Sequence, residues 1–324
     1  MESHFGEESA AEVQSSDRLA ASSGQPDRES AAASPRDGWR YALWAVVKVL
    51  ACLGVVYLVG GIGADLTLDA TRAALRTQCL NNLKTIGLAL ENYHGANNCY
   101  PAGTLANADL PPEKRLSWQF VIIPYVESGD EYLIDESKAW DAPVNRQVLR
   151  RRRLDDGEAI KEFEEPAGAP GVYHCRGGPY RSQPNLPSIT NYVGVAGLGE
   201  AAAELSSTDD RAGFFGYDRK ITKQDIRGAL SSTLVAIEAA DGGPWTAGGN
   251  ATVRSLVNDG RPYLGENNQF GGLHPMTGTF SLTRSGRTIV LCVDASTTTL
   301  SDSTSPEILE SMATLKGPGK ELDH

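Results

Sequence analysis

The sequence predicts an α+β protein: one long N-terminal helix, a mostly antiparallel β-sheet with loop insertions, and a short C-terminal helix. Three observations carry this. Tyr41–Ala64 is a run of twenty-four residues whose only charge is Lys48, and it passes directly into a segment of helical period. Short apolar, β-branched stretches separated by glycine-rich loops follow, as sheets require. Close to the end, Ser305-Pro306-Glu307 supplies a cap, a first-turn proline and a first-turn acid.

Residues 1–38 hold eight acids, three arginines and hardly any large apolar side chain, so they cannot bury enough surface to offset ordering entropy. They read as a disordered acidic tail without the early basic region of a cleaved secretory signal. Residues 39–64 read as a transmembrane anchor. At about 1.5 Å per residue, Tyr41–Ala64 reaches roughly 36 Å, enough for a hydrocarbon core of about 30 Å. Trp39, Tyr41 and Trp44 suit one interface, and Lys48 can snorkel toward it. Arg36 and Arg40 precede the span, while Asp65 and Asp69 come before Arg72 and Arg76 beyond it. The closeness of the first pair to the apolar core predicts a cytoplasmic N-terminus and an extracytoplasmic remainder. A lipid bilayer is therefore the first expected partner.

Gly60, Gly61 and Gly63 predict a bend or break where the helix leaves the span, since glycine costs about 1 kcal/mol each in a helix. Residues 65–98 then form an amphipathic spine: Leu75, Cys79, Leu83, Ile86, Leu90 and Tyr93 recur every three or four positions. His94-Gly95-Ala96-Asn97-Asn98 ends it, with His94 placed to complement the helix dipole.

Residues 99–324 read as a β-rich domain. Ser117–Val126 is apolar and is compatible with strand or helix, Asp141–Arg153 can form a short helix, and Glu162–Pro170 reads as a loop. Strands are predicted at Gly171–His174, Asn191–Ala196, Ser232–Ala239, Thr279–Thr283 and Thr288–Val293, the last two joined by a turn at Arg284-Ser285-Gly286-Arg287. Ile308, Met312 and Leu315 form the apolar stripe of the final helix.

The formal net charge of -11 argues against nucleic acid as a partner. The one dense basic run, Arg146–Arg153, is followed by Asp155, Asp156 and Glu158, as in a self-neutralised solvated face. The five cysteines show no CxxC. Cys52 lies in the span and Cys292 in an apolar strand, leaving Cys79, Cys99 and Cys175 on the side where disulfides persist, with spacing silent on their pairing.

No nucleotide-binding glycine pattern, nucleophile elbow or HExxH motif is present, and His94, His174 and His274 lie far apart in sequence. No metal, cofactor or catalytic residue is expected on that basis. His274, in a glycine-flanked loop, is the best functional histidine. Glu238 and Asp241 bracket a strand end as a possible carboxylate pair, and Trp118, Trp140 and Trp245 could line a carbohydrate cleft.

A longer pattern crosses these elements. Gln78-Cys79-Leu80-Asn81-Asn82-Leu83-Lys84-Thr85-Ile86-Gly87-Leu88-Ala89-Leu90 leads to Tyr93-His94 and Tyr100-Pro101-Ala102-Gly103. Leu116-Ser117-Trp118, Trp140-Asp141-Ala142-Pro143, Tyr173-His174-Cys175, Asn191-Tyr192-Val193-Gly194-Val195 and Phe270-Gly271-Gly272-Leu273-His274-Pro275 follow in order. Over roughly residues 70–315 the chain resembles the bacterial prepilin-like family known for an H-X9-DG C-terminal signature. That resemblance implies a type IV pilin-like helix in the inner (cytoplasmic) membrane and an extracytoplasmic domain of unknown function. Envelope or secretion-system proteins become its implied partners.

Two departures stand out. Where prepilins carry a Gly-Phe-Thr-Leu-Ile-Glu-like processing motif, this chain has Gly38-Trp39-Arg40-Tyr41-Ala42-Leu43 and lacks the assembly glutamate. Nineteen residues separate His274 from Asp294, which Ala295 follows in place of glycine. Cysteines like Cys79 and Cys175 recur in the family, which implies a Cys79–Cys175 bridge, with Cys99–Cys175 the alternative; such a bond contributes about 3–5 kcal/mol. The reading that follows is a pilin- or pseudopilin-like structural or interaction protein without catalysis. Its rivals are a tethered glycan- or ligand-binding module built on Trp245 and the loops around His274, and a metal-dependent hydrolase using His274 and Asp294.

Overall fold

A computed structural model describes residues 35–127, 130–146, 148–155, 160–166, 169–177, 187–274 and 286–317. The chain divides into two compact units, Met1–Gly60 and Gly61–His324. In the first, Gly38–Gly60 is a 23-residue apolar helical stretch with none of its residues buried; Leu50, Val56 and Tyr57 are all exposed. The helical assignment, α1, runs over Pro35–Asn97 and carries through Gly60, Gly61 and Gly63, where the sequence predicts a break. Glycine weakens a helix by its entropy but leaves the backbone hydrogen bonds intact.

In the second unit, α1 is amphipathic as its spacing predicts. Cys79, Leu83, Ile86, Ala89 and Leu90 are buried, while Lys84 and Leu88 face outward. Asn98, at φ 59°, terminates the helix in the left-handed conformation that asparagine tolerates. Ser117–Val126 resolves into two short helices, α2 (Trp118–Val121) and α3 (Ile123–Val126). Ser117 caps the first by accepting from the Phe120 N–H, and Pro124 sits in the first turn of the second.

A three-stranded antiparallel sheet follows, of β1 (Asp130–Leu133), β2 (Leu149–Asp155) and β3 (Ile160–Pro166) in that order. It replaces both the helix expected over Asp141–Arg153 and the loop expected over Glu162–Pro170. The reason lies in the register: Arg151 pairs with Glu131 on one side and Glu164 on the other, so the basic run is neutralised across strands. Gly171–His174, read as a strand, is a 3-10 turn at Gly171–Tyr173.

The central sheet has β4 (Tyr192–Leu198), β5 (Leu234–Glu238), β6 (Val253–Leu256), β7 (Arg287–Cys292) and β8 (Thr297–Ser301), in the order β6-β4-β5-β7-β8. Every pairing is antiparallel except β4 with β6. The predicted strand Thr279–Thr283 and the first half of the Arg284–Arg287 turn lie outside the described residues. Where described, β7 turns back through Asp294–Ser296 onto β8. The last helix, α4 (Pro306–Met312), is capped by Ser305, which accepts from the Ile308 N–H.

The sheet separates two apolar layers. Tyr192, Ala196, Ala236, Ile289 and Leu291 belong with Cys79, Leu83 and Ile86 of α1. The alternate side chains Val193, Val195, Ile237, Val290 and Cys292 belong with Leu309 and Ala313 at α4. A register shift between Leu234 and Ala236 brings two consecutive residues of β5, Val235 and Ala236, into the α1 layer. Gly87 permits the approach of α1 to the sheet: a Cβ there would stand 2.8 Å from Leu291 Cδ1 and 2.9 Å from the Ala295 Cβ.

Candidate functional site

The alternation that faces Ala236 toward α1 does the same for Glu238, the one acid in β5, and buries it completely. Its two oxygens are used differently. Oε2 accepts the Ile289 N–H of the neighbouring strand at 2.9 Å, while Oε1 lies 3.1 Å from His274 Nε2. Gly271 and Gly272 return the chain to this strand end with φ values of +86° and +77°. Gly271 exchanges backbone hydrogen bonds with Glu238 and Ala240, and a Cβ on it would lie 2.2 Å from Thr288 Oγ1, so only glycine fits. His274, two positions beyond this pair, is thereby laid over the end of the sheet with 8% of its surface exposed.

Cys175 arrives from the 3-10 turn at Gly171–Tyr173. Its N–H donates to Asn191 Oδ1 at 2.9 Å, and its Sγ lies 3.5 Å from His274 Nε2. Cys79 comes from α1, whose next turn docks through Asn82: the amide donates to the His174 carbonyl at 3.0 Å and to the Tyr192 hydroxyl at 3.3 Å. One sulfur from each cysteine, one carboxylate oxygen and one imidazole nitrogen lie within 4.8 Å of one another, and all four residues are buried. Among the described residues this is the one group of histidine, cysteine and acidic side chains close enough to share an ion.

Each group alters the others. The hydrogen bond from Cys175, aided by His274 and Tyr192 and opposed by burial, lowers the Cys79 thiol to about 5. Cys175 is raised in turn, by that same bond to Cys79 and by burial. Burial pushes His274 down, but hydrogen bonds and charge from Cys79 and Glu238 outweigh it and lift the imidazole to about 9. Burial raises Glu238 against the opposing pull of His274 and the Ile289 N–H. The set brings two cysteine sulfurs, an imidazole and a carboxylate together in one buried group. It offers the donors of a thiophilic metal centre, and it also holds two neighbouring thiols.

The sequence-predicted residues separate accordingly. His274, Cys79 and Cys175 come together, the two cysteines as free thiols. Cys99 lies just past the end of α1, which rises about 27 Å from Cys79 to Asn97, and it too is a free thiol, so the Cys99–Cys175 alternative is not formed. Asp294 is exposed and accepts from the N–H and hydroxyl of Ser296; it is outside the donor group that holds His274. Trp245 has no exposed surface and packs against Tyr173 and Tyr132, so it presents no ring face to a sugar. Trp118 is equally buried against Phe215, and Trp140 donates its Nε1–H to the Glu113 carbonyl. The Glu238–Asp241 pair is not made: Asp241 turns outward to Arg254 at 2.6 Å. His94 remains in the last turn of α1, against the ring of Tyr100.

Sequence spacing could not assemble this site, because each donor comes from a different stretch of chain. The available signal was Glu238 itself, a lone acid closing the otherwise apolar run Leu-Val-Ala-Ile. An acid there must either leave the sheet or find partners inside it.

Residues 69–307 match the family model described as protein of unknown function (DUF1559), and the chain belongs to that family. No curated protein and no solved structure matches it.

Proposed function

We propose that this member of the family is a single-pass, pilin-like protein of the cell envelope, held in the inner membrane by Gly38–Gly60 with its N-terminus cytoplasmic. Its folded domain serves a structural or interaction role outside the cytoplasm and performs no catalysis. The observation that supports this reading is the wholly unburied apolar helix Gly38–Gly60 joined to a helix whose later turns are built into the domain core. Exposing that much apolar surface is tolerable only in lipid or against another apolar partner. Arg36 and Arg40, beside the apolar stretch, favour the cytoplasmic side for the N-terminus.

The chain acts in this reading as a permanent anchor and not as a polymerising subunit. Leu43 occupies the position at which a pilin's glutamate would neutralise the new amino terminus of its neighbour. The test is the state of the protein in isolated membranes. Resistance to alkaline carbonate extraction together with an intact amino-terminal tail is expected. Release by carbonate would overturn the anchor, and a mature chain beginning at Trp39 would restore pilin-type processing.

A further inference from the structure

We infer that Cys79, Cys175, Glu238 and His274 form a closed four-coordinate Zn2+ site that fastens α1 to the central sheet. The inference is independent of membrane anchoring and rests on the donors and their support.

The first argument is geometric. Zinc bonds of about 2.0 Å to nitrogen or oxygen and about 2.3 Å to sulfur, in a tetrahedron, imply donor-to-donor edges of roughly 3.3–3.8 Å. Glu238 Oε1 to His274 Nε2 is 3.1 Å, Cys175 Sγ to His274 Nε2 is 3.5 Å, and every pair lies within 4.8 Å. Side-chain shifts of up to about an ångström would centre an ion among them. The second argument is support. The Ile289 N–H holds the far oxygen of Glu238 and leaves Oε1 directed at the cluster, and Asn191 fixes the backbone of Cys175. Outer partners of this kind orient metal ligands.

The third argument is chemical. Two thiolates with one imidazole and one carboxylate suit zinc better than magnesium or calcium, which prefer oxygen alone. A dication also offsets the charge that two buried thiolates and a carboxylate carry once His274 ligates as a neutral imidazole. Binding displaces protons from the thiols and the imidazole to solvent, and no electrons move. Four protein donors fill the tetrahedron and leave no open position for a substrate, as in structural rather than catalytic zinc sites. A Cys79–Cys175 disulfide uses the same sulfurs and is the competing state.

The experiment uses the full-length chain in detergent, purified without chelator after thiols are blocked at lysis. One zinc per chain by elemental analysis, with no Cys79–Cys175 disulfide by mass mapping, is the expected result. A disulfide with no zinc overturns the proposal. On unblocked, reduced protein, stoichiometric Co2+ should give intense tetrahedral ligand-field bands and thiolate-to-cobalt charge transfer; a folded, reduced chain without them overturns it as well. This wild-type measurement decides the matter even where Cys175→Ser fails to fold. Glu238→Gln, which keeps the shape of the side chain, should weaken Zn2+ binding by at least the roughly 10–100-fold that outer-partner changes cost. Cys99→Ser should change nothing, and equal loss in both variants overturns the assignment of the site.

Discussion

The two faces of the central sheet are equally buried and chemically opposite. Toward α4, Val193, Val195, Ile237 and Val290 make an apolar layer under Leu309 and Ala313, with Cys292 as its one thiol. Toward α1, the same strands and their neighbours bury Glu238, His274, Cys79 and Cys175 beside Tyr192. Cys292 and Cys79 show what the difference does. Burial, with the nearby Asp294 charge, pushes the Cys292 thiol up to about 11, whereas hydrogen bonds in the opposite layer draw Cys79 down to about 5. Burial alone makes a thiol inert; burial among donors makes it a ligand. One face is held by packing, and the other is held by packing plus a polar knot.

The largest effect separating the faces should come from Glu238→Ala. It strands His274 and the Ile289 N–H in the interior, and a loss of about 3–5 kcal/mol in urea unfolding is expected. Its neighbour on the other face, Ile237→Val, should cost only about 0.5–1.5 kcal/mol. Equal costs at these adjacent positions would erase the contrast. Next in size, Leu309→Ala should lose about 2–5 kcal/mol by opening a cavity in the α4 layer, and the loss should be the same with and without added chelator. Cys292→Ser places a hydroxyl among apolar neighbours, costing about 1–3 kcal/mol, and should leave metal content unchanged. A fall in bound metal in that variant would mean that the two layers are not separate.

Smaller effects probe how closely α1 lies on the sheet. Gly87→Ala drives a methyl into Leu291 and Ala295. Overpacking of about 1–3 kcal/mol exceeds the helix gain of about 1 kcal/mol, for a net loss on the order of 1 kcal/mol in thermal unfolding. The smallest change has the opposite sign. Ala295 holds φ at 60°, a conformation costing a residue with a side chain about 1–2 kcal/mol, so Ala295→Gly should stabilise by up to about 1 kcal/mol.

The fold was legible wherever local pattern and tertiary environment agree. The period of Cys79, Leu83, Ile86 and Leu90 identified the buried stripe of α1, the apolar runs at 192–196, 234–238 and 288–292 identified the sheet's middle, and Ser305-Pro306 marked α4. It failed where strand structure is made by cross-strand charge. Arg150 to Arg153 have no apolar alternation, and only pairing with β1 and β3 explains their extended form. Thr297–Ser301 was missed for a related reason: it is half-exposed and becomes a strand by pairing with β7. At the site, resemblance singled out Cys79 and Cys175, and the glycine-flanked loop singled out His274. Glu238 offers itself in sequence only as a possible partner of Asp241, because sequence cannot tell which side of a strand end an acid will take. The register shift in β5 and its neighbours in the sheet decide that.

The sheet order has a consequence for synthesis. The central strand β5 is flanked by β4, made before it, and by β7, made about fifty residues later. Until β7 emerges, β5 keeps an unpaired edge and the apolar stripe of α1 lacks Ile289 and Leu291 as cover. A nascent chain stopped before Arg287 therefore combines an open strand edge with a sticky helix, the two hazards that holding chaperones recognise. Folding of this domain must wait for nearly its whole length, and its earliest helix is among the last elements to be secured.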